Sequence, residues 1–210
     1  TYMQMLKAIG ISSNDISKKV YKSRDADAKA EQIIGKIDKP LIGIAVSSGN
    51  KLKELGVDKI VSIINMTLDD IDADIVLVGS EHEIKAADAV LQTVGKKDRI
   101  INAVGKLRLK ELPALLERLS LFIGVDTGII YMADALSVPI IHLAGPIDTS
   151  EQHPVGKNVK IIQYKLPCVP CTYVFKATYN CKLRSRECIN TIKTEDIVNA
   201  AKNLLPKHRE

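Results

Sequence analysis

The sequence predicts an α/β fold, a parallel sheet wrapped by helices, and two observations carry that prediction. From residue 40 onward, short β-branched-rich runs alternate with segments of helical spacing, the order that builds parallel strands joined by helical crossovers. The runs are apolar almost throughout instead of alternating, which is how strands buried on both faces read.

Six such runs are expected strands: residues 41–46 (LIGIAV), 73–79 (ADIVLVG), 99–104 (RIINAV), 121–125 (LFIGV), 139–144 (PIIHLA) and 159–164 (VKIIQY). Between them, VDKIVSIINMTLDD, EIKAADAVLQTV, LKELPALLERL and IIYMADAL carry helical spacing. In the third, Leu109, Leu112, Leu115, Leu116 and Leu119 recur at intervals of three and four and predict one apolar stripe. Ahead of the first strand, YMQMLKAIG and DADAKAEQIIGKI read as two helices joined by a polar stretch. After residue 165 comes a cysteine-bearing loop and a closing helix, TEDIVNAAKNLL, with Thr194 as its expected N-cap.

Composition bounds the function. Of 210 residues, 46% are hydrophobic and 26% charged, a balance that buries a core in water. No apolar run approaches the roughly 18 to 20 residues of a membrane-spanning helix. The N-terminus lacks the charged start and long apolar centre of a signal peptide, and it begins in mid-pattern, as though cut from a longer chain. The net charge of +5 gathers late, at Lys176, Lys182, Arg184, Arg186, Lys193, Lys202, Lys207 and Arg209. Phosphates, an anionic membrane surface or plain water would all suit such a tail. With two Phe, six Tyr and no Trp, stacking platforms for single-stranded nucleic acid are scarce, and no nucleic-acid partner is expected.

The chemistry centres on Asp126-Thr127-Gly128, where an apolar strand meets a helix. An aspartic protease needs two such carboxylates in a β-rich setting; here the triplet occurs once. In an open parallel sheet, ligands lie beyond the carboxyl ends of the strands, and the free N–H groups that open a helix favour an anion. Gly128 would let a phosphate approach the backbone, and the Thr127 hydroxyl would donate to it. Alternatively, Asp126 or Thr127 simply caps the helix. A helical wheel places Ile129, Met132, Ala133 and Leu136 against the sheet and leaves Tyr131 free to reach ligand or solvent.

Two more loops fall at the same edge. Ser47, Ser48 and Gly49, then Lys51 and Lys53, follow the first strand, and Gly145-Pro146 and Asp148 follow the fifth. Small, hydroxylated residues followed by lysine suit a phosphate pocket. Neither G-x-G-x-x-G nor G-x-x-x-x-G-K-[ST] occurs, which weighs against NAD and P-loop readings. A phosphorylated ligand, and among those a nucleotide, is the expectation.

The order strand, Asp-Thr-Gly, helix and then SVPIIHLAGPID resembles the C-terminal domain of the glycosyltransferase family 9 heptosyltransferases, as do SSGNKLKELGVDKI, LVGSEHE, the segment leading into the triplet, and LPCVPC with its two later cysteines. The similarity runs from about residue 4 to residue 205. It implies a Rossmann-like sheet forming the C-terminal half of a two-domain GT-B enzyme. Residues 1–38 would then be interdomain linker helices and residues 39–165 the nucleotide-sugar-binding domain. Residues 166–210 would be a cysteine-bearing loop and C-terminal helix packed on that domain.

By the same resemblance, Lys53, Thr127 and Gly128 contact the donor diphosphate, Ser47 and Ser48 form the adjoining loop, and Asp126 lies near the transferred sugar. Glu83 matches an acid near the donor ribose, though it also reads as ordinary first-turn helix charge. Tyr131 stands where the family has His, Ala144 where it has Phe, and Glu54-Leu55 where it has Arg-Trp after the lysine. The implied donor is ADP-heptose, with no further cofactor required, and the acceptor is a lipopolysaccharide core. A catalytic base would come from an N-terminal acceptor domain, which is the implied partner, leaving no catalytic residue in this chain beyond an Asp126 sugar contact. The implied location is the cytoplasm or the inner face of the inner membrane. A GT-B-like enzyme for another nucleotide sugar, or a non-catalytic nucleotide-binding module, are the competing readings.

Cys168, Cys171, Cys181 and Cys188 leave nine and six residues after the first pair, a looser spacing than a zinc ribbon. Reduced structural thiols, a structural zinc and disulfides all remain open. The histidines, His82, His142, His153 and His208, lack ligand spacing and read as structural or surface residues.

Overall fold

A computed structural model describes residues 2–13 and 18–205. Lys207, His208 and Arg209 therefore lie outside the described residues. Six parallel strands form one sheet: β1 (Leu41–Ala45), β2 (Asp74–Val78), β3 (Ile100–Asn102), β4 (Leu121–Val125), β5 (Ile140–Leu143) and β6 (Val159–Ile162). Their spatial order is β3-β2-β1-β4-β5-β6. Each expected strand is present. β1, β4 and β5 are buried along their whole length, while the edge strands β3 and β6 are partly exposed.

Helices cover both faces. On one side α3 (Val57–Asp70), α4 (Ile84–Thr93) and α8 (Thr194–Leu204), the last preceded by the short α7 (Glu187–Asn190), bring Ile60, Ile63, Ile64, Val90, Ile197 and Ala201 against Ile42, Ile44, Ile75, Leu77, Ile123 and Ile141. On the other, α2 (Ala26–Ile34), α5 (Leu112–Leu116) and α6 (Gly128–Ala135) bring Ala30, Ile34, Leu115, Leu116 and Ala133 against Leu41, Val76, Phe122 and Ile140. Each large aliphatic side chain removed from water contributes on the order of 1.5–3 kcal/mol, so burial on both faces holds the sheet together. Gly43 makes this packing possible: a Cβ there would lie 2.4 Å from Leu119 Cδ1 and 3.0 Å from the Phe122 ring.

Local details depart from the sequence expectation. α1 spans Tyr2–Ala8 and α2 ends at Gly35, whose φ of 71° closes the helix early. The leucine-striped segment is helical only over α5, which opens with Pro113 in its first turn. Leu112, Leu115, Leu116 and Leu119 are buried, but Leu109 precedes the helix and is 75% exposed. Thr194 is the first helical residue, not the cap; its hydroxyl pairs with Ser62 Oγ of α3 at 3.0 Å. This bond, and that of Lys59 Nζ to the Ile192 carbonyl at 2.7 Å, fasten the C-terminal helix and the residues leading into it to α3.

The strand order reverses between β1 and β4, since β1 pairs with β2 on one side and β4 on the other. Chains leaving two such strands diverge to opposite faces and open a crevice at their carboxyl ends. The loop carrying Ser47 to Lys53 and the Asp126-Thr127-Gly128 turn meet there.

Candidate functional site

Lys53 and Asp126 form the centre of this crevice. Lys53 Nζ donates to Asp126 Oδ2, and both side chains are largely buried. Tyr131, one turn into α6, donates its hydroxyl to Asp126 Oδ1 at 2.6 Å. Burial first, then the bond to Asp126, pushes the Tyr131 phenol above its ordinary pKa, so it stays a neutral donor. The expectation that Tyr131 would be free is therefore corrected: it reaches back to the carboxylate that opens its own helix. Lys18, from the segment before α2, lies 5.6 Å from the centre of the Tyr131 ring and bonds Asp134 Oδ2 at 2.6 Å.

The predicted helical face is rotated by one residue. Ile130, Ala133 and Asp134 are the buried residues of α6, while Ile129, Met132 and Leu136 are only partly covered. The cause is Asp134, whose carboxylate accepts from the amides of Val155 (3.1 Å) and Gly156 (2.8 Å) as well as from Lys18. Serving three donors draws a charged side chain inward, where a wheel built on hydrophobicity expects an apolar one.

Thr127 is the N-cap residue of α6, yet its side chain makes no cap hydrogen bond. Its Oγ1 is buried without a partner among the described residues. A buried polar atom in that state costs about 1–3 kcal/mol. Gly128 is exposed, and a Cβ there would meet nothing within 4 Å. At the opening turn of α6 the Ile130 amide is taken by the Thr127 carbonyl at 3.2 Å, while the Gly128 and Ile129 amides have no backbone partner among the described residues and face open space beside Gly128.

Around this centre, Ser47 Oγ donates to Glu54 Oε1 at 2.6 Å, and Glu54 also takes Lys51 Nζ at 2.9 Å. Ser48 is buried and accepts from the Asn50 amide at 3.3 Å. Glu83 lies beyond β2, where its carboxylate accepts from the Ser80 amide in a capping box. The loop after β5 turns its polar groups elsewhere: Asp148 takes the Ser150 amide and hydroxyl, and the Pro146 carbonyl accepts from Cys171 and Thr172. Of the three expected anion-friendly loops, the first two converge and the third ties down the cysteine segment.

His142, which the sequence reads as structural or surface, lies in the core beside this site. It pairs with Gly124 in the β4–β5 register, is fully buried, and has no partner at either ring nitrogen among the described residues. Burial lowers its pKa to about 4, against a smaller upward pull from Asp126. A lone histidine inside PIIHLA was the available signal. Lys18 carried none, standing 116 positions from Asp134 in the sequence.

The four cysteines are free thiols that line one cavity of about 410 Å³. Burial raises Cys171 and takes Cys188 to about 11, whereas backbone amides, that of Arg186 foremost, lower Cys181. Among the described residues, no group of three or more His, Cys, Asp or Glu side chains is arranged to hold a metal ion.

The family model described as glycosyltransferase family 9 (heptosyltransferase) matches residues 2–180. The chain belongs to this family. It is 25% identical over 135 residues to lipooligosaccharide heptosyltransferase 2 of Campylobacter jejuni subsp. jejuni serotype O:2, covering 63% of this chain and 41% of that protein. It is 33% identical over 108 residues to lipopolysaccharide heptosyltransferase 3 of Escherichia coli K12, covering 51% of this chain and 30% of that protein. The structure of the E. coli ADP-heptose lipopolysaccharide heptosyltransferase II superposes with a TM-score of 0.71 at 16% identity, covering 90% of this chain and 53% of that one. The fold is accordingly that of one Rossmann-like half of a GT-B family 9 enzyme, and the chain spans about half or less of each of these relatives.

Proposed function

We propose that this chain is the donor-binding half of an inverting glycosyltransferase that moves a heptose from ADP-heptose to a lipopolysaccharide core. The observation that carries the reading is the union of Lys53 with the Asp126-Thr127-Gly128 turn at the switch point of the sheet. The E. coli relative of similar fold is named as an ADP-heptose enzyme.

In this reading the diphosphate lies against the first turn of α6. Its oxygens accept from the free amides near Gly128 and from Thr127 Oγ1, whose lack of a partner then has a purpose. Lys53 offers its ammonium to the same oxygens as the bond to the sugar breaks and negative charge grows on the departing ADP. A donor aimed at developing charge is worth on the order of 3 kcal/mol. Asp126, held by Lys53 and Tyr131, faces the transferred sugar. The acceptor hydroxyl loses its proton to a carboxylate in an N-terminal acceptor half, and attack from the opposite face inverts the anomeric carbon. The work takes place in the cytoplasm, beside the membrane that carries the acceptor.

Tyr131, in the place of the family's His and bonded to Asp126, favours one alternative: a related GT-B enzyme that handles a different nucleotide sugar. Titration with ADP, UDP and CDP tests the choice. Tight binding of ADP alone supports the heptose donor; preference for UDP or CDP favours the alternative, and no binding of any of the three removes both.

A further inference from the structure

No acidic residue occurs between Glu151 and Glu187, and the second half of that interval, residues 165–186, carries Lys165, Lys176, Lys182, Arg184 and Arg186. The same half holds three strongly exposed apolar side chains: Phe175 at 81%, Tyr179 at 67% and Leu183 at 62%. Lys176, Lys182 and Arg184 are exposed beside them, and no ion pair to any of the three occurs among the described residues. Phe175 sits in a four-residue turn closed by reciprocal bonds between the backbones of Tyr173 and Lys176, both 3.2 Å. Lys176, Lys182 and Leu183 line one cavity, and Tyr179, Arg184 and Arg186 line the next together with Lys51, so this turn and a second one, in which the Arg184 amide donates to the Cys181 carbonyl at 3.1 Å, share one surface.

This surface is anchored to the donor loop. Asn50 Nδ2 donates to the Thr178 carbonyl at 2.9 Å, and Arg186 Nη2 donates to the Glu54 carbonyl. Two carboxylates lie beside this surface: Glu151, which accepts from the Val174 amide at 3.4 Å, and Glu187, in the lining of the first cavity. Lys176, Lys182, Arg184 and Arg186 outnumber them, and aromatic and aliphatic side chains exposed among such an excess of cations match a bilayer interface. The rings and Leu183 enter the boundary between headgroups and acyl chains, and the cations meet anionic phospholipid.

We propose that the turns at residues 173–184 dock this chain on the surface of an anionic phospholipid bilayer, with Phe175, Tyr179 and Leu183 as wedges and Lys176, Lys182 and Arg184 as the electrostatic contact. Docking there would hold the Ser47–Lys53 loop at the membrane, where a lipid-linked acceptor lies. That purpose rests on the transferase reading; the contact itself is measured without any transfer assay, so the two fail separately.

The experiment is sedimentation of the full chain with vesicles of phosphatidylcholine alone, or with one third phosphatidylglycerol, at two salt concentrations. The anionic vesicles should bind at least about tenfold more tightly at low salt, with most of that preference lost at high salt. K176E/K182E/R184E should weaken binding about a hundredfold, and F175S/L183S about tenfold, with melting temperatures unchanged. Retained binding by the charge-reversed variant, or equal binding to neutral vesicles, overturns the proposal. So does loss on charge reversal with no effect of F175S/L183S, which assigns the patch to a soluble polyanion. A shift in oligomeric state with sedimentation unchanged makes the face a protein interface and overturns it as well.

Discussion

Two buried carboxylates in this molecule live in opposite circumstances. Glu111, on the α2–α5 side, accepts from the backbone amide of Arg108 (2.8 Å), from the Arg108 guanidinium and from Lys29 Nζ (2.8 Å). Asp126, at the switch point, has Lys53 and Tyr131, while next to it, among the described residues, Thr127 Oγ1 has no partner and His142 lies nearby with neither ring nitrogen bonded. A buried polar network that is complete rigidifies the fold; one left incomplete is expensive unless a ligand finishes it. On this contrast Glu111 reads as a structural carboxylate, and Asp126 is the one we propose as functional.

The largest test removes the cation of the incomplete site. In an enzyme with both halves present, Lys53→Ala should lower turnover about a hundredfold, the rate equivalent of roughly 3 kcal/mol of lost stabilisation, as read by steady-state kinetics. Thr127→Val should weaken ADP binding about tenfold by calorimetry. It should leave the melting temperature unchanged or raised, because the hydroxyl it removes has no partner among the described residues. At the complete site the pattern reverses: Glu111→Gln should lower the melting temperature by about 5–10 °C and leave ADP affinity as it was.

Acid sharpens the comparison further. Contact with Arg108 and Lys29 holds the Glu111 carboxyl down from 4.5 to about 2. Its contribution is therefore fully present above pH 4.5 and is lost as the pH falls towards 2. His142 has a lowered pKa because burial disfavours its charged form. The unfolded chain takes up a proton that the folded chain refuses between 6.5 and about 4, so stability declines as the pH drops through that window. His142→Leu should flatten the melting-temperature profile there, and Glu111→Gln should flatten it only at lower pH. This is the smallest of the expected effects.

The sheet was legible because doubly buried strands write themselves as unbroken β-branched runs, and LFIGV or LIGIAV admits few other environments. The crevice was legible because Asp126-Thr127-Gly128 and the lysine loop each follow such a run. What the sequence hid was the pairing of groups that serve one another. The wheel did not include Asp134 in the buried face, because its donors, Lys18, Val155 and Gly156, lie far away in the chain. Tyr131 looked free, since a wheel gives direction but not reach. Leu109 looked like part of a stripe, although the helix begins only at Leu112. In each case a distant polar partner or a helix boundary overrode local periodicity.

Ligand-dependent melting tests the central claim most directly, because any folding loss in a variant is measured in the same experiment. A ligand that binds only the folded state raises its melting temperature in proportion to the logarithm of saturation. With millimolar ADP, the wild type and Glu111→Gln should both show a clear upward shift, and Lys53→Ala should show almost none. An equal shift in Lys53→Ala, or none in the wild type, would contradict the assignment of this crevice to a nucleoside diphosphate.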